Sequence, residues 1–191
     1  MTPLLERAEE QVRQLLQTRL SPELRYHNLQ HTISVVAAAR HLGMAAGLSP
    51  AELEALLLAA WFHDTGFVQC YTGHEAVGQA FLEAFLRSER LSIDYVDPQL
   101  IAVTRKGVVP DTKLQRLLKD ADLNNLGTSD YPRATRNLRH ELRVFLQQVY
   151  TDAEWYRHSV AFMRAHRFYS IAGKARFATG KAANLKRLLA K

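Results

Sequence analysis

The sequence predicts an all-α protein. Two observations carry that prediction. Apolar residues recur at helical spacing in one segment after another, and helix-start signals punctuate the chain, among them two four-residue capping boxes. A third observation agrees with them: no segment sustains the alternation of a strand, and the nearest, "VTRKGVV" at 103–109, is short.

Thr2-Pro3 supplies a cap and a first-turn proline, and Leu4, Leu5, Ala8, Val12, Leu15 and Leu16 follow at helical spacing. Asn28 opens a second helix through "HTISVVAAARHLGMAAG" that stops near Gly47. Ser49-Pro50-Ala51-Glu52 is a capping box with proline at the first helical position, so a third helix starts there. That helix is apolar almost all round from Leu53 to Phe62, which predicts a central buried position. "TGFVQCYTG" is a loop, and a fourth helix takes 74–90. Asp97-Pro98 caps a fifth over 99–106, and "VVPDT" breaks the chain. Asp111 or Thr112 caps a sixth helix, "KLQRLLKDADLNNL", which ends at Gly127. A seventh spans about 131–150. Thr151-Asp152-Ala153-Glu154 is the second capping box and opens an eighth, ending near His166. The tail, 173–191, reads as helix interrupted at Gly173 and Gly180.

The apolar fraction of 47% and charged fraction of 23% are those of a globular protein. The lone cysteine, Cys70, excludes an intrachain disulfide and fits a reducing compartment. The first sixteen residues carry charges every few positions, unlike a signal peptide, and the longest apolar run falls far short of the ~20 residues of a membrane span. The expectation is a soluble cytoplasmic protein with no membrane partner. The net charge of +6 is uneven: residues 155–191 hold nine Lys or Arg and no acid, whereas the first 154 carry 16 basic against 19 acidic groups. A basic end attracts nucleic acid, a membrane surface or a small phosphorylated ligand, unless it is only a solvated helix face.

One local oddity points to chemistry. The most apolar helix ends in an imidazole and a carboxylate side by side, His63 and Asp64, and burying them costs several kcal/mol unless something compensates. His31 and the pair Asp120 and Asp122 stand on other apolar helices. Two histidines and two aspartates from three helices could converge in a bundle core, where metal sites are commonly built. Their mixed N and O donors suit a divalent ion such as Mn, Fe, Co, Ni or Zn, and a cation would offset the burial of the carboxylates.

At these residues the sequence resembles the HD-domain superfamily of metal-dependent phosphohydrolases: "HTxxV" from His31 to Val35, the doublet His63-Asp64 after an apolar helix, and "DAD" at 120–122. It is most similar to the small bacterial stand-alone HD proteins, with "YHNxxHT", "FHDTG", "HE", "DADLxxLG" and a late "H-x-[FY]-[YF]", over residues 26 to 170. The resemblance implies a single HD-type helical bundle over 1–191, with a core at about 26–127 and additional C-terminal helices at about 129–191. It implies hydrolysis of a phosphoester or phosphoanhydride bond, often in a nucleotide, with a divalent ion (Mn, Fe, Co, Ni, Zn or Mg) as cofactor. It assigns His31, His63, Asp64 and Asp122 as metal ligands, Asp122 being favoured over Asp120 because the family's last Asp follows Ala. Asp64 is then expected to bridge ion and nucleophile.

Other residues join this expectation. His74 and Glu75 open the fourth helix, where Glu75 could orient or deprotonate the attacking water and His74 bind a phosphate or a second ion. His27, four residues before His31, is a substrate contact or a support for the ligands. Arg105 and Lys106 could neutralise phosphate charge, and Arg164 and Arg167, within "RAHRFYS", could hold phosphates while Phe168 or Tyr169 stacks a base. Lys113 and Lys119 read as solvated, and His41, His140 and His158 have no evident partners. Two other functions remain open: a non-catalytic module binding a nucleotide or nucleic acid, and a di-iron oxygenase. The oxygenase pattern needs more histidines between Asp64 and Asp122 than His74 alone.

Overall fold

The computed structural model describes residues 2–97 and 99–190. Met1, Lys191 and Pro98, the expected starter of the fifth helix, lie outside them. Among the described residues there are nine α-helices and no strand: α1 (Pro3–Arg19), α2 (Leu29–Ala45), α3 (Pro50–Phe62), α4 (His74–Ser88), α5 (Gln99–Ala102), α6 (Lys113–Asp122), α7 (Tyr131–Leu146), α8 (Asp152–Ala165) and α9 (Ile171–Leu189). Short 3-10 turns occupy Thr65–Val68, Ile93–Tyr95 and Asn124–Gly127. No described helix is long and apolar enough to cross a membrane.

The helix starts are chemical. Asn28 Oδ1 accepts the N–H groups of Gln30 (3.0 Å) and His31 (3.2 Å), satisfying donors that the helix itself cannot. Reciprocal capping boxes form at Ser49/Glu52 and Thr151/Glu154, and a third at Thr112/Gln115, which settles Thr112 over Asp111. Residues Ala55 to Phe62 of α3 are all buried, against α1, α2, α4, α5 and α6. Each fully buried Leu there contributes about 1.5–3 kcal/mol. The same apolar cluster runs from Leu5 on α1 to Phe177 on α9.

Three helices end earlier than their sequence suggests. α5 stops at Ala102, because the chain tightens into a turn in which Thr104 N and Oγ1 both donate to Ile101 O. The freed carbonyls of Val103 and Arg105 accept hydrogen bonds from Lys119 Nζ (2.7 and 2.9 Å), so Lys119 is buried rather than solvated. α6 ends at Asp122, where the Asn124 side chain caps Ala121 O at 2.7 Å. α7 ends at Leu146 because Gln147 takes a left-handed conformation (φ 55°).

The last helix departs in the other direction: α9 is unbroken through Gly173 and Gly180. Both glycines are points of close approach. A Cβ on Gly180 would lie 2.0 Å from Gly127 O, and one on Gly173 would lie 2.2 Å from Asp120 Oδ2. Asn184 adds hydrogen bonds to Leu126 O (2.9 Å) and Thr128 O (2.7 Å), so α9 is fastened to the turn that follows α6.

Candidate metal centre

Local structure delivers each polar side chain to one place. His31 lies in the first turn of α2, fixed by the Asn28 cap. His63 follows the last residue of α3, and its Nδ1 donates to Ala60 O at 2.8 Å, a carbonyl left open at the helix end. That bond leaves Nε2 facing Asp64 and Asp122, the ring nitrogen that carries the imidazolium proton and offers a lone pair to a metal once that proton leaves. Thr65 Oγ1 donates to Phe62 O (2.7 Å) and turns the chain just after Asp64. Asp122 is the last residue of α6, a position its charge disfavours at a helix C-terminus.

The four converge. His31 Nε2 is 3.2 Å from Asp122 Oδ1 and 3.4 Å from Asp64 Oδ2, and His63 Nε2 is 3.2 Å from Asp64 Oδ2 and 3.7 Å from Asp122 Oδ1. His31, His63 and Asp122 each offer a ligand atom within 4.8 Å of the others, close enough to hold a metal ion. His63 Nε2 and Asp64 Oδ2 are buried and, though close as an ion pair, are misaligned for a hydrogen bond, so neither has a hydrogen-bond partner among the described residues. Buried polar atoms are almost always paired, so two such atoms facing one point fit a cation-binding site. The electrostatics agree. Burial opposes charge on His63, yet Asp64 and Asp122 outweigh it and push its pKa up to about 9. Burial likewise opposes charge on Asp64, but the neighbouring His63, His27 and His31 hold its carboxyl well below the usual range. The pocket thus demands positive charge.

Residues 28–123, half of the chain, match the family model of the HD domain. The chain belongs to the HD-domain family. HD domains bind divalent metals and are mostly metal-dependent hydrolases, and the matched segment holds the whole cluster. Searches of curated proteins and of solved structures give no match.

Around this HD cluster the structure gathers three more of the expected residues. His74 Nε2 is 3.7 Å from Asp64 Oδ1 and 3.7 Å from Glu75 Oε1, while its Nδ1 donates to Tyr71 O at 2.9 Å. Two glycines permit this approach of α4 to the end of α3. A Cβ on Gly66 would sit 2.0 Å from His74 O, and one on Gly78 would sit 2.7 Å from Phe62 O. His27 stacks on Phe67 (4.4 Å), which stacks on His74 (3.7 Å). Its ring centre is 5.8 Å from that of His31.

Asp120 and Asp122 face opposite ways. Asp120 is fully buried and accepts from Tyr169 N (2.8 Å), Ser170 N (2.7 Å) and Ser170 Oγ (2.7 Å) at the start of α9. Arg105, Lys106, Arg164 and Arg167 are exposed, and no hydrogen bond or ion pair among the described residues joins them to the cluster. Phe168 is buried against Phe177 in the core and cannot stack a base there. His140 does have a partner, Glu23, at 2.5 Å. Sequence reasoning missed Glu141, which is fully buried and lies 2.6 Å from His27 Nδ1. Its signal was present: Glu141 interrupts the apolar stripe Ala134, Leu138, Phe145 at helical spacing.

Proposed function

We propose that this HD protein is a metal-dependent phosphohydrolase that cleaves a phosphoester or phosphoanhydride bond of a small phosphorylated substrate, first of all a nucleotide. The observation that carries the reading is the pair of orphaned buried atoms, His63 Nε2 and Asp64 Oδ2, facing His31 Nε2 and Asp122 Oδ1. His31, His63, Asp64 and Asp122 are the residues to hold the ion. When bound, a divalent ion supplies a water of lowered pKa and draws charge from phosphorus. Asp64 would be one of the holders of the ion; its Oδ2 faces His31 and His63 and its Oδ1 faces His74. Glu75, nine-tenths buried beside His74, takes the proton from the attacking water, and His74 Nε2 orients that water or a phosphoryl oxygen. His27 faces the substrate. Arg105, Lys106, Arg164 and Arg167 act from the surface, drawing in an anionic ligand. The single free thiol, Cys70, supports a cytoplasmic setting.

The test is metal analysis followed by a hydrolysis screen. Wild type offered Mn, Fe, Co, Ni, Zn or Mg should take up a divalent ion, and His63→Ala or Asp64→Ala should abolish uptake. Nucleoside mono-, di-, tri- and cyclic phosphates are then screened with each metal, with Asp64→Ala as the blank. No uptake of any ion would refute the site, and uptake with no hydrolysis would favour a binding module.

A further inference from the structure

Glu141 stands on α7, outside the matched HD segment, and none of its surface reaches solvent. Its Oε1 accepts the backbone N–H groups of Tyr26 (2.5 Å) and His27 (2.9 Å). Its Oε2 lies 2.6 Å from His27 Nδ1, and the Tyr71 hydroxyl donates to it from 3.5 Å. An ionised carboxylate only accepts, so the proton between this pair belongs to His27 Nδ1. Nε2 is then the ring atom left for other work, and it has no hydrogen-bond partner among the described residues. The ring is held on its other sides by Phe67 (stacked, 4.4 Å), Tyr26 (edge, 4.7 Å) and Tyr71 (edge, 6.2 Å). His31 and His74 are its neighbours on the side of the cluster, with ring centres at 5.8 and 6.3 Å.

A tie between α7 and the 26–27 backbone would need only an amide oxygen. Burying a full charge for that purpose is costly. The charge is matched instead to an imidazole at the edge of the metal centre, in the manner of carboxylates that orient functional histidines.

We infer that Glu141 is a positioning residue of the site: by binding Nδ1–H it fixes the His27 ring so that Nε2 is presented to the phosphoryl group of the substrate. The inference rests on the phosphohydrolase reading for the identity of that substrate. It also makes the C-terminal helices part of the site, since the carboxylate that sets His27 comes from α7.

The experiment uses the full chain with Glu141→Gln and Glu141→Asp, and first checks that each variant melts cooperatively. In metal-free protein labelled with 15N-histidine, wild type should show a slowly exchanging Nδ1–H on His27. Glu141→Gln should lose or shift that signal, and Glu141→Asp should retain it in part. In Mn-loaded protein assayed with p-nitrophenyl phosphate, kcat/KM should fall about 10–100-fold in Glu141→Gln at unchanged metal content. His27→Ala combined with Glu141→Gln should be no worse than His27→Ala alone, because both act through one ring. An unchanged His27 signal in Glu141→Gln, or a folded Glu141→Gln with kcat/KM within twofold of wild type, would overturn the inference. Failure of metal uptake in wild type would overturn the phosphohydrolase reading instead, while the imidazole signal still decides whether Glu141 holds His27.

Discussion

Two carboxylates two residues apart make opposite predictions. Asp120 receives three hydrogen bonds from Tyr169 and Ser170, and burial raises its pKa against the pull of those bonds. Truncation to Ala leaves three donors without an acceptor at the entry to α9. Each such loss costs about 1–3 kcal/mol, and the half-exposed donors regain some water, so about 3–5 kcal/mol is expected for Asp120→Ala. In a chain of this size 1 kcal/mol moves Tm by roughly 2–4 °C, so the melt should fall by about 6–20 °C. Asp122, by contrast, has a partly exposed side chain whose only partners among the described residues are the site histidines. Asp122→Ala should leave the metal-free melt within a few degrees of wild type and abolish metal uptake. Thermal melts in chelator, paired with metal analysis at a temperature where both variants are folded, read the two effects separately. The reasoning fails if Asp120→Ala loses metal while melting like wild type, or if Asp122→Ala keeps its metal.

Two further outcomes follow from the same geometry. Gly78→Ala places a Cβ 2.7 Å from Phe62 O and 3.0 Å from His63 O; helix propensity gains about 1 kcal/mol, but a clash with backbone costs about 1–3 kcal/mol, so the melt should fall and activity should fall more than metal content. A raised Tm would contradict this. In metal-free protein His63 titrates at about 9 against roughly 6.5 in an unfolded chain, so its protonation stabilises the fold fully below pH ~6.5 and that contribution is lost as pH rises through about 9. Tm in chelator should therefore drop between pH 6.5 and 9.5 in wild type but not in His63→Ala, and metal addition should release a proton; a flat wild-type profile would refute it.

Much of the bundle was legible because its signals are local. Asn28, Ser49 and Thr151 bond to their own next turn, and the all-apolar run of α3 can only be interior. Polar residues on apolar helices singled out His31, His63, Asp64, Asp120 and Asp122, the resemblance to HD domains favoured Asp122 over Asp120, and the structure brings the atoms of His31, His63, Asp64 and Asp122 within reach of one another. What stayed hidden depends on partners distant in sequence. Lys119 looks like a solvated helical lysine until the 103–105 turn offers it two carbonyls. Gly173 and Gly180 look like breaks until Asp120 and Gly127 arrive where a Cβ would stand. Glu141 needed His27, more than a hundred residues earlier, to acquire meaning.

The fastening of α9 to the turn after α6 has a temporal consequence. Asp122 emerges from the ribosome well before Asn184, the residue that clamps the turn behind it. About 60 residues separate them, and at roughly 5–20 residues per second that is about 3–12 s of synthesis. For that interval the nascent chain carries the donor set while the turn behind it waits for its two hydrogen bonds from Asn184. A chain stalled before residue 184 would have every residue of the cluster translated while the turn after α6 still lacks its Asn184 fastening.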